Sequence, residues 1–214
     1  MKKSASMIIG VLCISLVVWF IFDYKKEQSA QLNNGMEERL FDRHLIVEAK
    51  TDVTPDLASV EEKAEMIVIG KEIVQEDSTV IYNEEDRIDI AYTLSDFLIE
   101  KVISGDEVHD GMEITILENE AYNKRENITY HIAGYELMLE DNEYLLFLRK
   151  SMTDPYYIII GNSYGKVPLQ NETSALREAV QKANTSYATE KLSEWAQEDI
   201  LKEQALEKYA SYLE

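Results

Sequence analysis

The chain has 214 residues, 45% of them hydrophobic, which is enough apolar surface for one domain with appendages or two small domains, and argues against global disorder. Its 41 acidic residues outnumber 21 basic ones, for a net charge of −20, and Lys2 and Lys3 are the only charges before residue 23. A body of that sign is repelled by phosphate backbones and by an anionic bilayer surface, which argues against a nucleic-acid ligand and against membrane contact other than by insertion.

Met7–Phe22 (MIIGVLCISLVVWFIF) is an uncharged apolar run. As a helix it reaches about 24 Å at 1.5 Å per residue, and Ser4–Ser6 and Tyr24 extend it toward a ~30 Å hydrocarbon core. Trp19 and Tyr24 stand where interfacial aromatics belong, and Lys25-Lys26 end the span. Residues 1–24 are therefore expected to be an N-terminal membrane anchor, with the body extracytoplasmic. The flanking lysines balance two against two, so the orientation rests on the export-like layout. The alternative is a signal peptide cleaved on secretion; Gln28-Ser29-Ala30 is the nearest candidate site. Cys13 follows Gly10-Val11-Leu12, without the small residue that lipoprotein signals carry just before their cysteine. As the single Cys of the chain, it leaves the body without disulfides.

Residues 25–54 read as a juxtamembrane linker with a short helix, because Met36, Leu40, Phe41, His44 and Leu45 fall at helical spacing within Met36–Ala49. Pro55 is placed in the first turn of another short helix ending near Ala64, with Thr54 as its N-cap.

Residues 55–170 read as a β-barrel-like domain. Met66–Ile69 is continuously apolar up to Gly70, as in a strand buried on both faces. Ile88, Ile90, Tyr92 and Leu94 alternate with Asp89, Ala91, Thr93 and Ser95, which predicts a half-buried strand with the former set inward. Phe97 and Ile99 continue on the opposite parity, the mark of a one-residue bulge. Gly105 and Gly111 bracket a turn. Further strands are expected at Met112–Ile116, Ile128–Ile132, Tyr144–Leu148 and Tyr156–Ile160, and Lys166–Leu169 would close the sheet. No helix there is long enough for regular crossovers, so the fold class is mainly β with flanking helices: a small curled antiparallel sheet or OB-like barrel.

In residues 171–214 the period becomes helical. Leu176, Val180, Ala183 and Tyr187 mark one face; Leu192, Trp195 or Ala196, Ile200, Leu206, Ala210 and Leu213 mark a second. Asn184-Thr185-Ser186 breaks the run, giving two C-terminal helices, the last near 187–213. Its stripe would pack on the barrel or dock a partner.

The words Ala64–Lys71 (AEMIVIGK), Phe97–Gly105 (FLIEKVISG), Gly111–Ile114 and Glu143–Leu148 (EYLLFL) resemble the netrin-module and metalloproteinase-inhibitor superfamily, over Ser59 to Leu148. The stretch is also similar to uncharacterised exported proteins of Gram-positive bacteria. The resemblance implies an OB-like barrel. The inhibitory branch of that superfamily acts through disulfide-bonded cysteines, and the body has none, so that activity does not carry over.

Gly161-Asn162-Ser163-Tyr164-Gly165 matches G-x-S-x-G, but a nucleophile elbow needs a helix directly after the Ser, and Lys166-Val167-Pro168 follows. His44, His109 and His131 all precede it, so two glycines in a turn explain the match. His109 lies in an acidic loop (GDEVHDG) without recognised ligand spacing, and reads as a hairpin turn. His131 falls on the polar parity of its strand and is expected at the surface. Glu84-Glu85-Asp86 and Glu140-Asp141 read as solvated turns. Asn127-Ile128-Thr129 and Asn171-Glu172-Thr173 fit glycosylation acceptors. No catalytic, cofactor-binding or metal-ligating residue is assigned, and no cofactor is implied. The expected function is a membrane-anchored extracytoplasmic binding or interaction protein, partnered by the membrane through residues 7–22 and by an unknown protein or small ligand. The alternatives are a subunit of a cell-envelope complex docking through its C-terminal helix, and an enzyme with an unrecognised site.

Overall fold

The computed structural model of the chain describes residues 40–41, 43–49, 56–86 and 88–213. The anchor expected at 1–24 lies outside them, as do Thr54 and Pro55. Among the described residues no helix is long and apolar enough to cross a membrane.

The elements run β1 (Leu40–Phe41), β2 (His44–Val47), α1 (Leu57–Lys63), β3 (Met66–Gln75), β4 (Thr79–Tyr82), β5 (Ile88–Ser104), β6 (Glu113–Glu118), β7 (Glu120–Asn123) and β8 (Ile128–Ile132). They continue with β9 (Glu143–Lys150), β10 (Tyr157–Ile159), β11 (Lys166–Pro168), α2 (Ala175–Ala183) and α3 (Ser186–Tyr209). Strands β6, β5, β3, β9 and β10 pair in that order, and β10 returns to β6, so five strands close a barrel. Four of the pairings are antiparallel and β10–β6 is parallel, an arrangement compatible with an OB-like barrel. The sheet is thus not wholly antiparallel, and β10 closes it; β11 only extends the same edge of β9.

The two continuous apolar runs form the hinge of this closure, as their composition predicts. Strands β3 and β9 pair Val68 with Leu146 and Met66 with Leu148 inside the barrel, against Phe97, Ile99, Ile114 and Ile116. The alternate residues Ile67, Ile69, Leu145 and Phe147 face out and pack with Leu57, Val60, Leu201, Ala205 and Tyr209 of α1 and α3. Each such side chain taken fully from water contributes roughly 1.5–3 kcal/mol. Strand β3 does not stop at Gly70: a Cβ there would stand 2.1 Å from the Leu98 carbonyl oxygen and 2.7 Å from the Phe97 ring, so the glycine lets β5 cross close by.

A smaller sheet, ordered β1-β2-β8-β7, lies beside the barrel. The helix expected over Met36–Ala49 does not form in its described part. Phe41 pairs with His44 across a tight hairpin, and β2 runs parallel to β8. Ile46 and Phe41 pack toward Leu176, Val180 and Trp195, while Leu45 and Val47 join Tyr130 and Ala121. Spacing that reads as helical thus belongs to two short strands of a hairpin, with Phe41 and Ile46 buried and Leu45 and Val47 half-buried. The cap of α1 is Asp56, whose side chain accepts from Ser59 N at 2.8 Å, in place of Thr54.

Strand β5 keeps one parity from Ile90 to Ile99, without the slip expected between Leu94 and Phe97; its irregularities lie at the ends, at Asp89 and at Glu100 and Ile103. Ala91, Thr93, Ser95, Phe97 and Ile99 point inward, while Ile90 is 43% exposed and Tyr92 and Leu94 are half-buried on the outer face. Register shifts do occur in the β3–β5 ladder, between Ile67 and Val68, Ile69 and Gly70, and Glu72 and Val74. The C-terminal helices break at Asn184, whose φ is 49°, and Thr185 caps α3. The buried face of α3 is Ala188, Lys191, Trp195, Glu198, Leu201, Ala205 and Tyr209, rotated from the expected stripe, and Ile200 is exposed. Replacing Leu146 with Ala, which empties the barrel centre, is expected to cost about 2–5 kcal/mol in urea unfolding. Met152→Ala, at a 94% exposed side chain, should shift stability by less than ~0.5 kcal/mol.

Candidate functional site

The G-x-S-x-G stretch is an excursion between β10 and β11. Ile160 N donates to Phe147 O, Phe147 N to Gly165 O, and Gly165 N to Ile160 O, pinching the loop shut at its base. A Cβ on Gly165 would lie 2.6 Å from Ile160 O, and Gly161 and Asn162 have φ of 65° and 64°, so the backbone explains the glycines. Strand β11 follows where an elbow needs a helix. Ser163 Oγ donates to Glu198 Oε2 at 2.6 Å, so its neighbour is a carboxylate on α3.

Glu198, 4% exposed, is held in a cluster: Lys202 bonds it directly, and Arg177 Nη2 approaches at 3.7 Å. Arg177 also donates to Asp199 at 2.8 Å and lies over the Trp195 ring at 5.3 Å. Burial lowers the Arg177 pKa, while the Asp199 hydrogen bond and charge outweigh it, and the net direction is up. These groups border a cleft of about 290 Å³ with Glu136, Lys166 and Glu172. Among the described residues its cations Lys166, Arg177 and Lys202 each already meet an oxygen of the chain, Lys166 Nζ through Glu136 O. The cleft therefore works first as the bolt between helices and barrel.

The barrel mouth is polar. Glu118, the last inward residue of β6 and fully buried, accepts from Ser95 Oγ, from Tyr135 Oη at 2.7 Å and from Met138 N at 2.7 Å. Tyr135 and Met138 belong to the 133–142 segment, which covers the mouth. Leu137 N bonds Glu120, Leu139 N bonds Tyr144 Oη, and Asp141 N bonds Glu72 O, fastening it further. Burial raises the Glu118 pKa against the opposing pull of Lys166 and its donors. Burial lowers that of Lys166, whose ammonium sits 4.4 Å from the centre of the Tyr135 ring. Glu72, 0% exposed, has no hydrogen-bond partner among the described residues for either carboxylate oxygen. Burial, then the charges of Glu118, Glu140, Asp141 and Asp96, push its pKa from 4.5 to about 7.

His131 is not at the surface. It is 2% exposed, with Nδ1 2.8 Å from Tyr135 O and 3.0 Å from Glu120 Oε2, and Nε2 2.9 Å from His44 Nδ1. Burial lowers its pKa, but the Glu120 hydrogen bond and charge prevail and the net direction is up. The alternation rule placed it wrongly because β8 lies between two packed layers. His109 stays exposed, its Nδ1 3.0 Å from Asp110 O, and Asp110 accepts from Val102 N, which braces the hairpin. Glu84–Asp86 and Glu140-Asp141 occupy turns, as expected, with φ of 57° at Asp86 and 64° at Asp141. Asn127 sits in the β7–β8 turn and accepts from Tyr122 Oη; Asn171 borders the cleft. Among the described residues no three His, Cys, Asp or Glu side chains gather as a metal site requires.

The outer face of the barrel holds a second feature that alternation did not reveal. Ile81 and Ile90 stand opposite each other at 45% and 43% exposure, and Leu94 pairs with Leu117, which pairs with Ile158. A groove of about 350 Å³ continues this stripe, lined by Val47, Ile88, Ile90, Tyr92, Leu117 and Ile132, with Glu48 and Asp89 at its border.

Compared with known proteins, the chain matches no family model and no curated protein by sequence.

Glu72 holds its proton more tightly folded, near pH 7, than unfolded, near 4.5, so stability is present at low pH and lost as pH rises between them. Urea unfolding should show a fall on the order of 2 kcal/mol from this group between pH 4.5 and 8, and Glu72→Gln should remove that share of the slope. Ser163→Ala should cost about 1–2 kcal/mol of stability by leaving a buried carboxylate oxygen short of a donor.

Proposed function

We propose that the chain is a membrane-anchored extracytoplasmic binding or interaction module, non-catalytic, whose contact surface is the outer face of β5 and the adjoining groove. The observation that carries this reading is the outward apolar stripe Ile81, Ile90, Tyr92, Leu94, Leu117 and Ile158, on a strand whose inward positions include Thr93 and Ser95. Sheets ordinarily bury such a stripe, and a contiguous solvent-facing one marks an interaction site. Support for location comes from Lys2-Lys3, the uncharged run Met7–Phe22 and Lys25-Lys26. Support for a non-catalytic role comes from Ser163, whose hydroxyl is committed to Glu198. Kinship with the netrin-module superfamily belongs to the same proposal, and the barrel's strand order suits it. Docking through the C-terminal helix is less well supported, because Trp195, Leu201, Ala205 and Tyr209 already pack within the domain.

Photo-cross-linking in intact cells tests the surface. A benzophenone side chain at position 90 should give a discrete adduct, whereas one at Glu190, exposed on α3, should give none. Equal adducts at both positions, or none at 90, would remove the support. External protease that digests the body on whole cells should confirm its side of the membrane; a body protected until lysis would count against it.

A further inference from the structure

We infer that the groove on the outer face of β5 accepts a polypeptide segment that presents apolar side chains flanked by lysine or arginine. The inference rests on the binding-module reading and names the chemistry of the occupant. Val47 and Ile132 of the small sheet, Ile90 and Tyr92 on the outer face of β5, and Leu117 of β6 line the groove, and Ile88, with Val47 and Ile132, also packs against the Ala91–Tyr130 cluster. The exposed Ile81–Ile90 pair carries the apolar surface onward. Such a lining offers burial to aliphatic or aromatic side chains and little to a polar small molecule.

The border selects by charge. Among the described lining residues Glu48 and Asp89 are charged and none is basic, and over residues 48–50 and 84–89 the sequence carries five carboxylates against Lys50 and Arg87. Glu48 accepts from Tyr187 Oη at 2.5 Å and remains exposed. A second copy of this chain would set acidic border against acidic border, on molecules of net charge −20. An anionic bilayer and a phosphate polymer are opposed by the same sign. A basic polypeptide gains from both features at once: its apolar side chains fill the groove, and its cations answer the carboxylates at the rim. Rim charges of this kind set association rate and salt dependence more than total affinity.

The test uses the full-length chain in uncharged detergent and two synthetic peptides sharing one leucine pattern, with lysine or with glutamate at the remaining positions. Fluorescence anisotropy should show the lysine peptide binding, and weakening as salt rises from 50 to 500 mM. The Glu48→Gln/Asp89→Asn double variant should weaken it about three- to tenfold. Ile90→Thr/Tyr92→Thr, which keeps strand propensity at solvent-facing positions, should weaken it by about tenfold or more. Binding of the glutamate peptide as tightly as the lysine one, or lysine binding indifferent to both double variants, overturns the inference. So does sedimentation showing a dimer that the Ile90→Thr/Tyr92→Thr variant disrupts. An adduct at position 90 in cells without lysine-peptide binding retires the occupant and leaves the binding-module reading standing; neither result retires both.

Discussion

The buried carboxylate of Glu118 is the interaction on which the arrangement turns. An ion in a barrel mouth loses several kcal/mol of hydration, and only converging donors and a nearby cation can offset that. Ser95, Tyr135 and the Met138 amide supply the donors, and Lys166 supplies the charge. Ser95 must therefore point inward, and its strand cannot then also turn Ile90, Tyr92 and Leu94 inward. The same requirement draws the 133–142 segment over the mouth, since two of the donors lie on it. One polar group thus sets the facing of the longest strand and the course of the segment between β8 and β9.

Setting β5 in this sense exposes a row of apolar side chains that its alternation would otherwise hide. The smaller sheet then completes a wall beside the row, and Phe41 and Ile46 anchor β1 and β2 on the C-terminal helices. Those helices are held by a second polar cluster, Glu198 with Ser163, Lys202 and Arg177. Both carboxylates do the same physical work: each fixes the relation between layers that hydrophobic packing alone would hold only loosely, since burial has no direction. Glu72 is the exception, a buried carboxylate without hydrogen-bond partners among the described residues, and it makes the barrel mouth sensitive to pH near neutrality.

Much of the architecture was legible in the residues. The apolar runs Met66–Ile69 and Tyr144–Leu148 announced the doubly covered pair at the barrel centre, and Asn184-Thr185-Ser186 announced the helix break. What could not be read depended on contacts between distant segments. Thr93 and Ser95 look like outward residues until Glu118 is placed opposite them, and His131 looks exposed until Glu120, Tyr135 and His44 surround it. Phe41 to Leu45 carries helical spacing, yet the two residues lie on paired strands of one hairpin, each packed against a distant segment. The turn that places Ser163 was legible from its glycines, but Glu198, which captures its hydroxyl, lies 35 residues further on. No local pattern joins the two. The groove escaped notice for the same reason, as its walls come from β2, β5, β6 and β8.

The facing of β5 is the point that can be checked most directly, by thiol labelling in a Cys13→Ser background. A cysteine replacing Ile90 should react in the native protein about as fast as a free model thiol, whereas one replacing Ala91 should react only as fast as the domain opens. Rapid labelling at 91 with protection at 90 would mean that the apolar row faces the interior, and the proposed contact surface would not exist.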